Sequence, residues 1–255
     1  MTKYIIQVIM FFVLISCQND EFGYTYLSSY YLDGEPITLT GQTDNDTGLE
    51  TNDWNFDLTN GKNISKGRFL EGMRIDNWIY TLHRDTSMVV DWIIFRDPIK
   101  GIKMSYPKIW HVNKETPRVF EATFETVSPI KRSKFFAVTY NIKDSIKMNM
   151  KEYLDYSTNK LAQEERLKRH YTFEIATDKD TTYYSITKLV RNNENIMILD
   201  YLFEKDDKII ELTYSTLDIE TEFKNQIFLD IVSCFYYEQK RAFDPLTRSE
   251  IIIKL

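Results

Sequence analysis

Cysteine is scarce in this chain: of 255 residues only Cys17 and Cys234 carry a thiol. A disulfide-stapled framework is excluded, and no Cys-x-x-Cys occurs to hold zinc or do redox work. The three histidines, His83, His111 and His170, lie far apart, and none has a second ligand-type residue at a metal-binding interval. Eight glycines and six prolines are too few for a collagen-like or low-complexity chain. No Gly-x-Ser-x-Gly elbow occurs, and no glycine-rich phosphate loop follows a strand. No apolar run reaches the roughly 20 residues that a membrane-spanning helix needs. Surplus positive charge is also missing, with 32 Lys and Arg against 38 Asp and Glu. That balance argues against nucleic acid as a partner and against a polybasic membrane-binding face.

Aromatic residues, by contrast, are plentiful: seventeen Tyr and sixteen Phe. With so little Gly and Pro, they favour well-packed extended sheet over disorder. At the amino end Lys3 precedes an apolar run, Tyr4 to Ile15, interrupted only by Gln7. About a dozen residues span roughly 18 Å as a helix, short of a hydrocarbon core of about 30 Å, and have the anatomy of a cleaved export signal. The run closes on Leu14-Ile15-Ser16-Cys17, which resembles the lipobox of bacterial lipoproteins. The resemblance implies removal of residues 1–16, lipidation of Cys17 and attachment to the membrane through acyl chains, two or three of which anchor stably where one does not. Cys234 would then be the remaining thiol. Gln18, Asn19, Asp20 and Glu21 resemble the short acidic signal that carries some lipoproteins to the outer face of the outer membrane. Residues 17–31 read as an acidic tether.

Between residues 32 and 97, short strands alternate with Gly, Asn and Asp. Gly48, Trp54 and Phe56 recur as Gly72, Trp78 and Tyr80 at a fixed offset of 24 residues. Upstream, Asp33-Gly34 and Gly41 correspond to Asn60-Gly61 and Gly67, with a two-residue difference in length. Asn-Gly and Asp-Gly supply the positive φ of tight hairpins. A Trp and the aromatic two residues on share one strand face. This Gly-x-Phe-x-x-Gly and Trp-x-Tyr pattern resembles MORN-like repeats of the YwqK type. Two units are fewer than a free-standing array requires, so the meander is expected to lean on the next domain. Trp54, Phe56, Trp78 and Tyr80 have two readings, an exposed binding platform or hairpin core, and core is favoured for the two tryptophans.

From residue 98 to 240 the element order changes. Gly101 to Trp110 alternates as a strand that ends at Pro107, and Phe120 to Phe124 and Lys134 to Ile142 are β-rich. Asn149 and Glu152 form a capping box that opens an amphipathic helix expected to end near Lys168. Four strands come next: Tyr171 to Thr177, Thr182 to Val190, Ile196 to Phe203 and Lys208 to Tyr214. Phe223, Ile227, Ile231 and Phe235 then mark a closing apolar helix. This order, with Tyr106-Pro107-x-x-Trp110, Tyr153-Leu154, Glu211-Leu212-Thr213-Tyr214 and Phe223 through Phe235, resembles the PsbP-like fold of DcrB-type lipoproteins. The fold class expected is therefore α+β: a small antiparallel meander of MORN-like repeats followed by an α/β/α sandwich with an antiparallel sheet. Residues 241–255 can add an edge strand or remain a tail.

Chemistry-bearing candidates are few. Asp44-x-Asp46-x-Gly48-x-Glu50 alternates oxygen ligands but lacks the full complement of a calcium loop, and Asp and Asn also start turns by bonding their own backbone. Lys131-Arg132-x-Lys134 and Arg166-x-Lys168-Arg169 are short basic clusters, the second suited to a helix C-terminus. Cys234 sits beside the apolar stripe and reads as a buried, inert thiol. No catalytic residue, metal site or cofactor is assigned. The expected function is that of a lipid-anchored, surface-exposed outer-membrane lipoprotein acting as a non-enzymatic protein-interaction module. Its partners would be the membrane, through the anchor, and a protein the sequence does not identify. An immunity or chaperone-like role toward a toxin or secreted protein, and an envelope-polymer hydrolase using two of the many carboxylates, are the alternatives.

Overall fold

The computed structural model describes residues 21–24, 37–58, 60–81, 86–113, 119–124, 133–141, 147–164, 166–177, 180–218, 221–244 and 249–254. Side chains are described for 37–58, 60–81, 86–110, 147–163, 166–176, 180–218 and 223–244. In chain order the elements are β1 (Glu21–Tyr24), β2 (Ile37–Thr43), β3 (Glu50–Leu58), β4 (Asn63–Leu70), β5 (Met73–Thr81), β6 (Ser87–Asp97), β7 (Ile102–Pro107), β8 (His111–Asn113), β9 (Val119–Phe124) and β10 (Ser133–Asn141). Helix α1 (Met150–Glu164) is next, then β11 (Arg166–Thr177), β12 (Thr181–Arg191), β13 (Glu194–Lys205) and β14 (Lys208–Leu217). Helix α2 (Thr221–Ser233), β15 (Tyr236–Tyr237), β16 (Lys240–Arg241) and β17 (Ser249–Lys254) come last. The strands form two antiparallel sheets, ordered β1-β2-β3-β4-β5-β6-β7-β15-β16 and β17-β11-β12-β13-β14-β10-β9-β8.

The first sheet carries a geometric repeat. Gly48 and Gly72 have φ of 68° and 72°, and Asn52 and Asp76, again 24 residues apart, have φ of 60° and 57°. The ladder shifts register between Thr40 and Gln42, and again between Lys66 and Arg68. The residues skipped are Gly41 and Gly67, and at each bulge an indole lies over the bare glycine. A Cβ on Gly41 would stand 2.1 Å from Trp54 Cδ2, and one on Gly67 would stand 2.4 Å from Trp78 Cδ2. Each glycine is therefore there for the close approach of a ring, not for a turn. The Trp54 Nε1 donates to the Gln42 and Thr51 carbonyls and the Trp78 Nε1 to the Arg68 carbonyl, which fixes both rings in place.

The sequence expectation and the fold part at three places in this sheet. Glu21 to Tyr24, assigned to the tether, form β1 and pair with Ile37 to Thr40, because the edge of β2 offers unpaired backbone groups that another strand satisfies. The boundary placed at 97/98 falls inside the sheet, since β7 pairs with β6 from Trp92–Pro107 to Asp97–Ile102. Its far edge comes from the other end of the chain: β15 pairs with β7, and β16 with β15.

In the second sheet the four expected strands are β11 to β14, joined by turns with positive φ at Asn192, Asn193, Asp206 and Asp207. The expected capping box forms: the Asn149 backbone N–H donates to Glu152 Oε2 at 2.9 Å, and the Glu152 N–H to Asn149 Oδ1 at 2.9 Å. Helix α1 ends at Glu164, four residues before the expected Lys168. Arg166, Leu167 and Arg169 instead pair with Val190, Leu189 and Lys188 of β12, so ladder bonds displace the helical ones. The basic cluster Arg166-x-Lys168-Arg169 thus lies on a strand, with Lys168 Nζ donating to Asn195 at 2.7 Å. Residues 249–254 add the edge strand β17 to β11.

Helix α2 lies between the two sheets. Its Phe223 ring meets Tyr80 of the first sheet edge-on, while Phe228 stacks on Tyr184 and Tyr214 of the second. One continuous core joins all three layers, including Trp54, Trp78 and Trp92 on one side and Leu199, Phe203 and Leu212 on the other. The first sheet thus shares its core with the rest of the chain. A helix covered on both sides buries polar side chains as well, and Lys224, Asn225 and Asp230 are buried with its apolar residues. Helix α1 covers the opposite face of the second sheet, where Met150, Tyr153 and Leu154 form a separate small cluster with Tyr183, Leu202 and Ile209.

Candidate functional site

The four aromatics considered as an exposed platform are core. Trp54, Phe56, Trp78 and Tyr80 are 1%, 5%, 0% and 1% exposed. The same-face rule that groups them also turns them inward, because the inner face of the sheet is the one α2 covers. Two of them, Phe56 and Trp78, do bind a cation, but it is the chain's own. The Arg74 guanidinium lies 3.7 Å from the Trp78 ring centroid, 4.8 Å from Phe56 and 5.2 Å from Phe69. Phe69 meets Trp54 and Trp78 edge-on, and Phe56 meets Trp78 the same way. Such an aromatic cage is a recurrent receptor for cationic groups; here it is already filled.

Arg74 reaches through the cage to α2, where Nη2 donates to Asp230 Oδ1 at 2.7 Å. The Tyr80 hydroxyl donates to Asp230 Oδ2 at 2.6 Å and Gln226 to Oδ1 at 3.0 Å. Burial pushes the Asp230 carboxyl up and the Arg74 charge opposes it; burial, with the Asp230 charge, pushes the Tyr80 phenol well up. A second bridge ties the C-terminal hairpin to β3: Arg241 donates to both oxygens of Glu50, at 2.9 and 2.8 Å. Glu50 is therefore turned inward, away from the acidic loop in which it was grouped. Asp44 in that loop accepts bonds from the Asp46 and Thr47 backbone and the Thr47 hydroxyl, the pattern of a turn initiator. Cys234 is fully buried, and burial pushes its thiol up, which makes it unreactive.

The group of side chains best suited to chemistry lies on the outer face of the second sheet, beneath α1. Asp200 of β13 stands opposite Ser185 of β12 and Thr213 of β14, and Glu211 stands one diagonal step from it, opposite Leu202. Alternation puts both carboxylates on one face, so diagonal neighbours come within about 7–8 Å at their backbones. Thr213 donates to Asp200 Oδ1 at 2.7 Å and Ser185 to Oδ2 at 3.3 Å. Tyr153 of α1 donates to Glu211 Oε2 at 3.0 Å. Burial raises Asp200 to about 6 against these hydroxyl bonds. Burial, then the Asp200 charge, raises Glu211 to about 8.

Both carboxyls are thus held above the usual carboxylate range, and the charge on one raises the other, an arrangement that acid–base chemistry uses. On the same face but two strands from Asp200, His170 bonds Thr187 at Nδ1 and Thr172 at Nε2, both at 2.9 Å, and Thr158 of α1 lies 3.4 Å from Nε2. Burial lowers the His170 pKa, with Asp155 opposing. Among the described residues no group of three or more His, Cys, Asp or Glu side chains could hold a metal ion.

This pair is not singled out by sequence, where the many carboxylates look alike. The signal was present: Asp200 and Glu211 each interrupt a strand that is otherwise almost wholly apolar, Ile196 to Phe203 and Ile209 to Tyr214. Cys17 and the signal residues Gln18, Asn19 and Asp20 lie outside the described residues, as do the side chains of Glu21 and of Lys131, Arg132 and Lys134.

No family model and no curated protein matches the chain. Among solved structures it is similar to the cyanobacterial PsbP (CyanoP) of Synechocystis sp. PCC 6803, at 14% identity and a TM-score of 0.43, over 57% of this chain and 92% of that one. It is also similar to the Ran-binding protein Mog1p of Saccharomyces cerevisiae, at 10% identity and a TM-score of 0.44, over 60% and 99% of the two chains. LpqN, involved in cell envelope biogenesis of Mycobacterium tuberculosis, aligns at 12% identity and a TM-score of 0.39, over 57% and 90%.

Proposed function

We propose that this protein is an exported lipoprotein, cleaved before Cys17, acylated there and displayed on the outer membrane surface, where its two-sheet body serves as a non-enzymatic protein-interaction module. The observation that carries the reading is the amino-terminal order of Lys3, an apolar run and Leu14-Ile15-Ser16-Cys17 followed by Asp20 and Glu21. No helix among the described residues is long and apolar enough to cross a membrane; in this reading the acyl chains on Cys17 supply the attachment. In this reading the first sheet is a pair of MORN-like hairpins and the remainder a PsbP-like, DcrB-type unit.

The test is a Cys17→Ser variant expressed in the native host. It is expected to leave the membrane fraction and to lack the acyl mass at its amino terminus, and protease added to intact cells should shave the wild type. A variant that fractionates like the wild type overturns the anchor; a wild type shielded from the protease overturns surface display. The Asp200–Glu211 pair favours a second reading, an envelope-polymer hydrolase. Asp200→Asn would abolish polymer turnover in that case and leave membrane attachment and surface display unchanged in the first.

A further inference from the structure

We propose that two copies of this chain pair through strand β17, antiparallel and edge to edge, about a two-fold axis that passes through Ile252. Edges decide where a sheet can grow, because an edge strand carries backbone N–H and C=O groups without partners in its own sheet. Among the described residues the two sheets have four edges, β1, β16, β17 and β8. Three of them are short: β1 has 4 residues, β16 has 2 and β8 has 3. Such brevity keeps an edge from recruiting a neighbour. Strand β17 has 6 residues, Ser-Glu-Ile-Ile-Ile-Lys, and holds to β11 in unbroken register from Ser249–Thr177 to Lys254–Thr172. It contains neither proline nor bulge. Three consecutive isoleucines suit a strand paired on both sides better than a bare edge.

The residue order of β17 selects a second copy as the occupant. Residues directly opposite in an antiparallel pair share a face, so a two-fold axis normal to the sheet keeps outer face on outer face. Register with Ala176, Glu174 and Thr172 puts Glu250, Ile252 and Lys254 on that outer face. An axis through Ile252 sets Ile252 against itself, Ile251 against Ile253, and Glu250 against Lys254 of the second copy, twice over. Apolar residues then face apolar ones and each acid faces a base, the pairing that opposed strands favour. The alternatives fail on the same residues. A parallel pair in register sets Glu250 on Glu250 and Lys254 on Lys254. An antiparallel pair centred on Ile251 sets Glu250 opposite Ile252, and one centred on Ile253 sets Lys254 there. With the axis at Ile252, two 8-stranded sheets become one continuous sheet.

The experiment places single cysteines along β17 of the full-length chain in its native host, oxidises the cells with copper–phenanthroline and reads dimers on a non-reducing gel. Ile252→Cys is expected to cross-link, because opposed residues have Cα atoms about 4.5–5.5 Å apart, within disulfide reach. Glu250→Cys and Lys254→Cys are expected to give about tenfold less dimer, since each position lies about 13 Å from its counterpart in the second copy. Both carry the same Cys17 and Cys234 and so report the background. A second measurement needs no cysteine. By light scattering, the purified wild-type chain in detergent should have the mass of two chains. Glu250→Lys, which opposes lysine to lysine twice, should raise the dissociation constant of the dimer about tenfold, and adding Lys254→Glu should restore it. A monomeric wild type, equal cross-linking at 250, 252 and 254, or a cross-link from the Ile252→Cys variant to a protein of another mass each overturns the proposal. So does a Glu250→Lys chain that dimerises like the wild type, or a double exchange that fails to restore pairing.

Discussion

Replacing Gly67 by alanine adds one methyl group and tests the logic of the first sheet. That carbon would stand 2.4 Å from Trp78 Cδ2 and 2.5 Å from Cε2 and Cγ, all in a ring with no exposed surface. Ordinary contact is about 3.5–4.0 Å, so the indole or the β4 backbone must shift by about 1 Å. Overpacking of this kind costs about 1–3 kcal/mol by itself. The displaced ring also holds two edge-on partners and the Arg74 guanidinium. An aromatic pair contributes about 0.5–1.5 kcal/mol and a desolvated cation–π contact about 2 kcal/mol. Partial loss of these brings the expected destabilisation to about 3–4 kcal/mol, read as a lower urea midpoint at constant slope. Two controls isolate the cause. Gly61→Ala meets nothing within 4 Å and should cost only its positive-φ strain, about 1 kcal/mol. In a Trp78→Leu background the ring is gone, and Gly67→Ala should cost under about 1 kcal/mol. A loss below about 1 kcal/mol in the wild-type background would refute the argument that the bulge exists to admit the indole.

Arg74→Met should destabilise by about 3–5 kcal/mol, since it strands the buried Asp230 carboxylate, and Asp230→Asn in that background should recover part of the loss; denaturant melts of the single and double variants check both. Stability should fall as pH rises between about 4 and 8, because Asp200 and Glu211 have raised folded-state pKa values and the native chain binds more protons across that window. The contribution is present in full below the unfolded values of 3.8 and 4.5 and is lost as pH passes about 6 and then about 8. Glu211→Gln should therefore add up to roughly 3 kcal/mol at pH 8 and flatten the profile, with midpoints measured at pH 5 and pH 8. Asn149→Ala removes one half of the capping box and should cost about 1 kcal/mol in thermal melts.

Local patterns were the most legible. The capping box named both its residues because the two bonds depend on a three-residue interval and nothing distant. The meander β11 to β14 followed from apolar strands broken by Asn and Asp turns, and the 24-residue offset predicted two like hairpins. Long-range placement was not legible. Nothing near Glu50 announces that its partner is Arg241, 191 positions away, and the charge of Asp230 within an apolar helix gives no hint of Arg74. The stop of α1 was missed because Arg166 to His170 continues a tolerable helical pattern, and only the neighbouring β12 makes the strand the better outcome. The carboxylate pair was hidden for the same reason: each residue is ordinary alone, and their meeting is a matter of register.

The chain's final forty residues finish what the first hundred begin. Helix α2 fills the gap between the sheets, Tyr237 and Arg241 close the far edge of one, and Ile251 to Ile253 extend the other. A polypeptide emerging amino end first therefore makes hairpins early yet cannot seal the main core between the sheets until these late segments are available. Loss of the last few dozen residues would leave both sheets open at once, which makes this molecule an all-or-nothing product of synthesis.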